Sequence, residues 1–251
     1  MNLNWLTARP IAHRGQHDRA RGIIENSFAA AECALASGCA IECDVRMSSD
    51  GEAFVFHDET LDRLTGATGL FRDTSSEQLA HMQLSESARA ASIPTLGAFL
   101  ERVGGRVPLI IEIKSLFDGD MRLAERTALI AAQHAGSVAL KSFDPAIVSH
   151  LRRSSLSKDI PLGLVAQARF DHAERAFLSD EKKQSMACLL HWRETRPDFL
   201  SFSVHNLPHA AITLARAALH MPVMTWTVRT SQHWDIARRY ADQAIFEGPL
   251  P

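Results

Sequence analysis

The sequence predicts a (β/α)8 TIM barrel, a closed ring of eight parallel strands surrounded by helices, in the α/β class. Apolar strand-like runs alternate with alanine-rich helical runs along all 251 residues. The hydrophobic content of 46% is enough to build a full core. Because no linker or low-complexity tract divides the chain, we expect residues 1–251 to form one domain.

Nine segments have the composition of strands. They are predicted at residues 10–13, 41–45, 53–57, 107–114, 138–143, 161–165, 199–204, 222–228 and 243–247. Helices are predicted between most of these strands, at residues 26–38, 95–103, 121–134, 144–153, 206–219 and 231–240. Capping residues indicate their starts: Ser27 suits the first helix, and Asn206 with Pro208 suits entry at residue 206.

One of the nine strands does not belong to an eightfold ring. Only the polar residues 47–52 separate the second and third strands, and Asp50-Gly51 is a hairpin signal. A parallel crossover needs about a dozen residues or more. We therefore expect residues 53–57 to lie outside the barrel, and residues 46–94 to form a small insertion subdomain after strand 2, over the barrel mouth.

Polar side chains lie at or just after the C-terminal ends of the predicted strands, where barrel enzymes carry their chemistry. They are His13, Arg14, Glu42, Asp44, Glu112, Lys114 and Ser142, and His57 follows the hairpin strand. Glu42 and Asp44 are two residues apart on one strand, so their side chains should share a face. Because burying such a set without a function would be costly, we expect a metal-assisted phosphoester site.

The same residues have structural interpretations. Glu42 and Asp44 could form buried ion pairs with Lys114 and Arg14, and Glu112 could form a salt bridge across the barrel, instead of binding a metal. Trp226 lies on an apolar predicted strand and could be ordinary core packing. Ser142 has no His or Asp close to it in the sequence, so we interpret it as a structural hydroxyl.

Composition argues against several other classes of protein. A net charge of −2 offers no basic field for nucleic acid or an anionic membrane. The chain starts without a signal-peptide pattern, and no apolar run reaches membrane-spanning length. Its four cysteines show no zinc-site or redox-pair spacing, which favours reduced thiols. We expect a cytoplasmic protein with no integral membrane segment and no nucleic-acid partner; a homo-oligomer stays open.

Short motifs follow one another in a characteristic order. They are His13-Arg14-Gly15, Glu25-Asn26-Ser27, Glu42-x-Asp44-Val45, Asp50-Gly51, His57-Asp58, Ile93-Pro94-Thr95-Leu96, Glu112-Ile113-Lys114, Ser142-Phe143 and Trp226-Thr227-Val228. This ordered set covers nearly the whole chain and resembles the glycerophosphodiester phosphodiesterase family. The resemblance implies a barrel with an insertion after strand 2, a divalent cation, and hydrolysis of glycerophosphodiesters to an alcohol and glycerol 3-phosphate.

The resemblance also implies four roles for residues of the site. His13 and His57 match the acid–base pair, Glu42, Asp44 and Glu112 match the metal ligands, Arg14 and Lys114 match the phosphate-contacting cations, and Trp226 matches the aromatic wall for glycerol. A ligand set made only of carboxylate oxygens suits one hard cation, Mg²⁺ or Ca²⁺. The resemblance further suggests that the glycerol 2-hydroxyl attacks first to give a cyclic phosphate; the residues alone leave direct attack by water open.

The chain departs from the family pattern at three places. Ile24 replaces the usual proline, Arg229 replaces the usual asparagine, and Phe246-Glu247 replaces the usual Thr-Asp. We expect none of them to contact the metal ligands or the two histidines. The latter two border the pocket expected for the leaving alcohol or the glycerol.

Two other classes of function stay open. Paired carboxylates on a barrel rim also hydrolyse sugars without a metal, but a glycosidase leaves His13, His57 and Arg14 unexplained. The same fold could bind a phospholigand without turnover, since fold does not determine function. The presence of both histidines argues against this second alternative.

Overall fold

Eight parallel strands close into a barrel in the structure, a computed structural model that describes residues 2–170 and 176–250, and the predicted fold class is confirmed. The nine strands of these residues are β1 (Ile11–Ala12), β2 (Ala40–Met47), β3 (Ala53–Val55), β4 (Leu109–Ile113), β5 (Val138–Ser142), β6 (Leu162–Ala166), β7 (Phe199–Ser203), β8 (Val223–Val228) and β9 (Gln243–Phe246). The ring runs from β1 through β2 and β4 to β9, and β9 pairs with β1 to close it.

Helices connect the strands in the described part of the chain. They are α1 (Phe28–Ala36), α2 (Ser76–His81), α3 (Leu96–Val103), α4 (Arg122–Ala132), α5 (Pro145–Arg153), α6 (Asp180–Ala187), α7 (Trp192–Thr195), α8 (Ala210–Ala218) and α9 (Ser231–Tyr240). Side-chain caps determine several of the starts: Ser27, Asp144 and Thr230 each accept a backbone N–H from the first turn of α1, α5 and α9.

The helix predicted at residues 206–219 begins four residues later than expected. Val204–Asn206 forms a single 3₁₀ turn, and α8 starts at Ala210. The Asn206 side chain does not cap α8, because its Oδ1 accepts the Ala168 N–H at 2.8 Å. Leu207 precedes a proline and is extended, as the proline ring requires. Sequence analysis did not predict α2, α6 or α7.

The barrel interior is apolar in its lower part and charged at its mouth. Strand residues that pack against one another fill the interior: Ile11, Ala40, Ile110, Ala139, Phe199, Met224 and Ile245. Gly163 on β6 makes room for the Phe199 ring, since a Cβ there would lie 2.4 Å from that ring. Because strand side chains alternate, the next interior positions on β2, β4 and β5 carry charged residues at the barrel mouth.

The third strand lies outside the ring, which confirms the hairpin prediction. β3 pairs antiparallel with β2, and Val45 lies opposite Val55. Gly51 in the connection has φ +91°, a conformation that favours glycine. The neighbouring Asp50 accepts both the backbone N–H and the hydroxyl of Ser76, at 2.9 and 2.6 Å, and so holds the start of α2.

A second hydrophobic cluster joins the segment after β3 to β3 itself and to Ile24, which precedes α1. Its buried members are Ile24, Phe54, Phe56, Leu61, Leu64, Phe71, Leu79, Leu84 and Ile93. The Phe71 ring stacks on Phe56 with centroids 4.8 Å apart and meets the edge of Phe54 at 6.2 Å. This cluster supports the loop that carries His57 to the barrel mouth.

Two further features concern helix length and the cysteines of the described residues. No helix among them is both long enough and apolar enough to span a bilayer. The four cysteines are unpaired: Cys39 and Cys43 are buried, Cys33 is half-buried and Cys188 is exposed.

A series of ion pairs connects the inserted segment to the barrel. The Glu25 carboxylate accepts from Arg14 at 2.6 Å and from two nitrogens of Arg63 at 2.8 Å. Arg63 also donates to both oxygens of Asp58, at 2.6 and 2.9 Å. Burial would raise the pKa of Glu25, but its hydrogen bonds from Arg63 and its attraction to Arg14 outweigh burial and lower it to about 2.

This pairing should make stability depend on pH. Because the folded-state pKa of Glu25 is below its ordinary value, its contribution is present above about pH 4.5 and is lost as the pH falls towards 2. We expect Glu25→Gln to lower the free energy of unfolding at pH 6 by on the order of 3 kcal/mol. Denaturant unfolding measured between pH 6 and 2.5 should show the gap to wild type closing on acidification. Exposed Glu101 provides the matched control, Glu101→Gln, and a gap that does not vary with pH would contradict the assignment.

Candidate active site

Three buried carboxylates meet at the barrel mouth. Glu42 and Asp44 come from β2 and Glu112 from β4, where Asp44 and Glu112 are direct register partners. Their relative exposures are 0%, 1% and 5%. One oxygen from each side chain lies within 4.8 Å of the other two. The structure therefore brings together the three residues predicted as metal ligands.

Cations surround Asp44 and Glu112. The Lys114 ammonium lies 2.7 Å from Asp44 Oδ1 and also contacts Glu112 Oε1. Asp44 Oδ2 lies 3.1 Å from Arg14 Nε and accepts from Asn26 Nδ2 at 3.0 Å. Burial would raise the pKa of Asp44, but attraction to Lys114, His57 and Arg14 outweighs it and holds this pKa well below the usual range. Asp44 is therefore ionised at neutral pH.

Lys141 is a member of the site that the sequence analysis missed. It lies on β5 as the register partner of Glu112, and its side chain is 2% exposed. Its ammonium lies 2.9 Å from Glu42 Oε1 and 3.3 Å from Glu112 Oε2. Burial would lower the pKa of Lys141, but the two carboxylates outweigh burial and raise it. The sequence feature that could have indicated Lys141 is a single charged residue inside an apolar strand.

His57 reaches the same region from the loop after β3. Its Nδ1 lies 2.7 Å from Asp58 Oδ1, and Asp58 is held by Arg63. Since a carboxylate only accepts hydrogen bonds, Nδ1 carries the proton and Nε2 keeps its lone pair. Burial and then Lys114 lower the pKa of His57, against the attraction of Asp44. This favours a neutral imidazole.

His13, the first residue after β1, also has a carboxylate partner. Its Nδ1 lies 2.6 Å from Glu247 Oε1, and its Nε2 lies 3.9 Å from Glu42 Oε2. Arg229 donates to both oxygens of Glu247, at 2.7 and 2.9 Å. Our expectation that none of the departures contacts the two histidines is wrong for Glu247, because closure of the barrel brings the end of β9 beside β1. Arg229 contacts Glu247 and makes no hydrogen bond to His13 or His57 among the described residues.

A cavity of about 490 Å³ opens above the carboxylates. Its walls include His13, Arg14, His57, Lys114, Trp226 and Arg229, so all but the most deeply buried predicted residues face one space. The Trp226 ring meets Phe143 edge to face at 5.4 Å and donates Nε1–H to the Ser201 carbonyl at 2.9 Å. Trp226 is thus held firmly while one side of it borders the cavity.

Ser142 does not face this cavity. Its hydroxyl donates to the Ile113 carbonyl at 2.7 Å and accepts the Asp144 N–H at 3.2 Å. These bonds tie β4 to β5 and shape the entry to α5. Ser142 is therefore a structural hydroxyl, in agreement with its interpretation from the sequence.

The carboxylate cluster fits a divalent cation. Oxygen ligands of Ca²⁺ lie at about 2.3–2.6 Å, so two ligands of one ion are at most about 5 Å apart. The spacing within 4.8 Å meets this limit, and the set offers oxygen only. Beside this cluster, two histidines can exchange protons and several cations can bind an anion. The arrangement as a whole suits hydrolysis of a phosphoester.

Comparison with known proteins assigns the sequence to a family. Residues 13–247 match the sequence model of the glycerophosphoryl diester phosphodiesterase family. A glycerophosphodiester phosphodiesterase from Caldanaerobacter subterraneus subsp. tengcongensis is 38% identical over 111 residues, which cover 42% of this chain and 44% of that protein. One from Bacillus altitudinis is 40% identical over 109 residues, which cover 41% of this chain and 43% of that protein. Each match spans less than half of the relative's length.

Solved structures agree on the fold. A phosphodiesterase from Oleispira antarctica, determined in complex with the product sn-glycerol-3-phosphate, superposes with a TM-score of 0.77. The superposition covers 96% of this chain and 94% of that chain at 20% identity, a level at which the likeness shows the fold alone. Since the family match extends over nearly the whole sequence, from His13 to Glu247, the chain belongs to the glycerophosphoryl diester phosphodiesterase family.

Proposed function

We propose that this protein is a phosphoric diester hydrolase that cleaves glycerophosphodiesters to an alcohol and glycerol 3-phosphate. The observation that carries the proposal is that two carboxylate-bound histidines face one cavity beside a cluster of three buried carboxylates, of which Glu112 lines the cavity. Family membership and the names of the relatives from Caldanaerobacter and Bacillus altitudinis support the same substrate class.

Glu42, Asp44 and Glu112 would hold one divalent cation, Mg²⁺ or Ca²⁺. When bound, such an ion neutralises phosphoryl oxygens as negative charge develops on them. Arg14 and Lys114 border the cavity beside these carboxylates and would bind the phosphate, arginine in a bidentate manner. A phosphodiester would thereby be oriented against His13 and His57.

The two histidines would move the protons. Asp58 and Glu247 each hold one imidazole through Nδ1, which leaves Nε2 to exchange a proton with the substrate. One histidine would take the proton of the nucleophile, and the other would protonate the departing oxygen. The attacking group could be the glycerol 2-hydroxyl, as the family resemblance suggests, or water.

The surroundings of His57 and Lys114 offer room for both ester groups. The cavity of about 490 Å³ on one side has Trp226 as a wall, which we assign to the glycerol. A second cavity of about 150 Å³ shares His57, Lys114 and Phe143 with the first and adds the ring of Phe177. We assign this second cavity to the leaving alcohol.

Domain organisation, cell location and partners complete the proposal. We propose that residues 46–94 act as an insertion within one catalytic unit, because the loop after β3 supplies His57 to the barrel cavity. A cytoplasmic location stays a prediction. Arg14, Lys114 and Arg229 line the cavity and suit a small anionic substrate. The net charge of −2 gives no reason to propose a nucleic-acid partner.

Removal of divalent cations should abolish turnover. We expect EDTA to reduce glycerol 3-phosphate release from a panel of glycerophosphodiesters by on the order of a hundredfold or more, with recovery on adding Mg²⁺ or Ca²⁺. Glu112→Gln, which lacks one ligand, should lose little further activity in EDTA. Unchanged activity in EDTA together with cleavage of nitrophenyl glycosides would favour the glycosidase alternative, and binding of glycerol 3-phosphate without turnover would favour a non-catalytic protein.

Each histidine should be needed for a different proton transfer. We expect His13→Ala or His57→Ala to lower kcat by about 10²–10⁴ with a much smaller effect on KM. A nitrophenyl ester leaves without protonation, so it should rescue only the variant that lacks the general acid. Exposed His81 provides the control, His81→Ala. A double variant that loses the product of the single losses, with neither single variant rescued, would mean that the histidines only shape the site.

Glu247 should act as a positioning residue for His13. We expect Glu247→Gln to lower kcat on the order of tenfold to a hundredfold with KM nearly unchanged, because the imidazole loses its anionic partner. Glu247→Asp should recover part of the loss, and Arg229→Met should cost less than Glu247→Gln. Steady-state kinetics on one substrate will measure all three variants. A change confined to KM would instead place Glu247 in substrate binding.

A further inference from the structure

Lys141 is a permanent positive charge in the middle of the carboxylate cluster. Its ammonium contacts one oxygen of Glu42 and one of Glu112, at 2.9 and 3.3 Å. Its Cα lies level with Glu112 on the neighbouring strand, and its side chain is 2% exposed. Since the stem is enclosed in the barrel, Lys141 cannot swing away from the cluster as a surface lysine can.

The carboxylates of the cluster already have cationic partners from the protein. Three carboxylates face three permanent cations among the described residues: Arg14, Lys114 and Lys141. Each of the six carboxylate oxygens contacts a protein donor. Glu42 Oε1 and Glu112 Oε2 contact Lys141, Asp44 Oδ1 and Glu112 Oε1 contact Lys114, Glu42 Oε2 accepts the Arg14 backbone N–H, and Asp44 Oδ2 contacts Arg14 and Asn26.

These ion pairs oppose the binding of a divalent cation. The ion must compete with ammonium groups for the same oxygens, and it adds two positive charges beside the cations that these carboxylates already contact. In a buried site of low dielectric, a fixed positive charge a few ångströms away opposes this strongly. A phosphate anion in the cavity would offset the added charge.

We propose that Lys141 is a resident counter-ion that keeps divalent-cation binding weak on its own and couples it to the binding of an anionic phosphate ligand. This inference rests on the metal site of the proposed function. Both lysines line the larger cavity, but Lys114 is 10% exposed against 2% for Lys141, and of the two only Lys114 also borders the second cavity. We therefore assign Lys114 to the substrate. Because coupling is reciprocal, the phosphate ligand should also bind more tightly when the cation is present.

Calorimetric titration of the purified full chain with Ca²⁺, with and without glycerol 3-phosphate, tests the inference. We expect glycerol 3-phosphate to tighten Ca²⁺ binding to the wild-type protein by about tenfold or more. Lys141→Met should bind Ca²⁺ about tenfold or more tightly without the phosphate, and the enhancement by glycerol 3-phosphate should shrink. Lys158→Met removes an exposed charge and should behave like the wild-type protein.

A folding control accompanies the titration, because Lys141→Met leaves carboxylates unpaired. We expect Lys141→Met to unfold at a lower temperature than wild type in EDTA and to gain more thermal stability from Ca²⁺. Lys141→Gln keeps a donor without the charge and should show the same tighter binding. If Lys141→Met folds only with Ca²⁺, the midpoint of that Ca²⁺-dependent folding supplies its affinity.

Two results would overturn the inference: Ca²⁺ affinity that is equal or weaker in both Lys141 variants, or enhancement by glycerol 3-phosphate that is unchanged in them. Glycerophosphodiester turnover is measured separately. If turnover is absent but the variants bind Ca²⁺ more tightly, the proposed function fails and the role of Lys141 stands. If turnover is present and affinity does not change, only the role of Lys141 fails.

Discussion

The structure depends on a balance of buried charge at the mouth of the barrel. Glu42, Asp44 and Glu112 are 0–5% exposed, and isolated carboxylates at such depth would be very costly. Arg14, Lys114 and Lys141 make their burial possible through direct contacts. These pairs draw the ends of β1, β2, β4 and β5 together, since each strand supplies or adjoins a member.

Each of the two histidines is held by a carboxylate, and the two carboxylates come from distant parts of the chain. His57 lies on the loop after β3, and Asp58, Arg63 and Glu25 connect it back to the start of the barrel. His13 is held by Glu247, which closure of the ring brings from the other end of the chain. Each imidazole is thus oriented by a carboxylate that is itself held by an arginine, so the pair is arranged before a substrate binds.

Sequence reasoning recovered the parts of the site that have a local signal. Alternation of polar and apolar residues placed Glu42 and Asp44 on one face, and a short Asp50-Gly51 connection removed β3 from the ring. Sequence reasoning failed where the local signal was weak or where a residue's contact partner is distant in the sequence. Lys141 is a lone charge in an apolar run, which gives no local sign of its partners. The helix predicted from residue 206 begins at Ala210, because the Asn206 side chain accepts the Ala168 N–H and caps no helix.

The sequence by itself determined the class of fold, the family resemblance and the residues that converge, because strand period and turn chemistry act over a few neighbouring positions. Only the tertiary structure decided which groups pair. The contact of His13 with Glu247 joins residues 234 positions apart, and the bridge of Lys141 between Glu42 and Glu112 depends on the register of three strands. Such contacts arise from closure and register, and neither is encoded in any one segment of the chain.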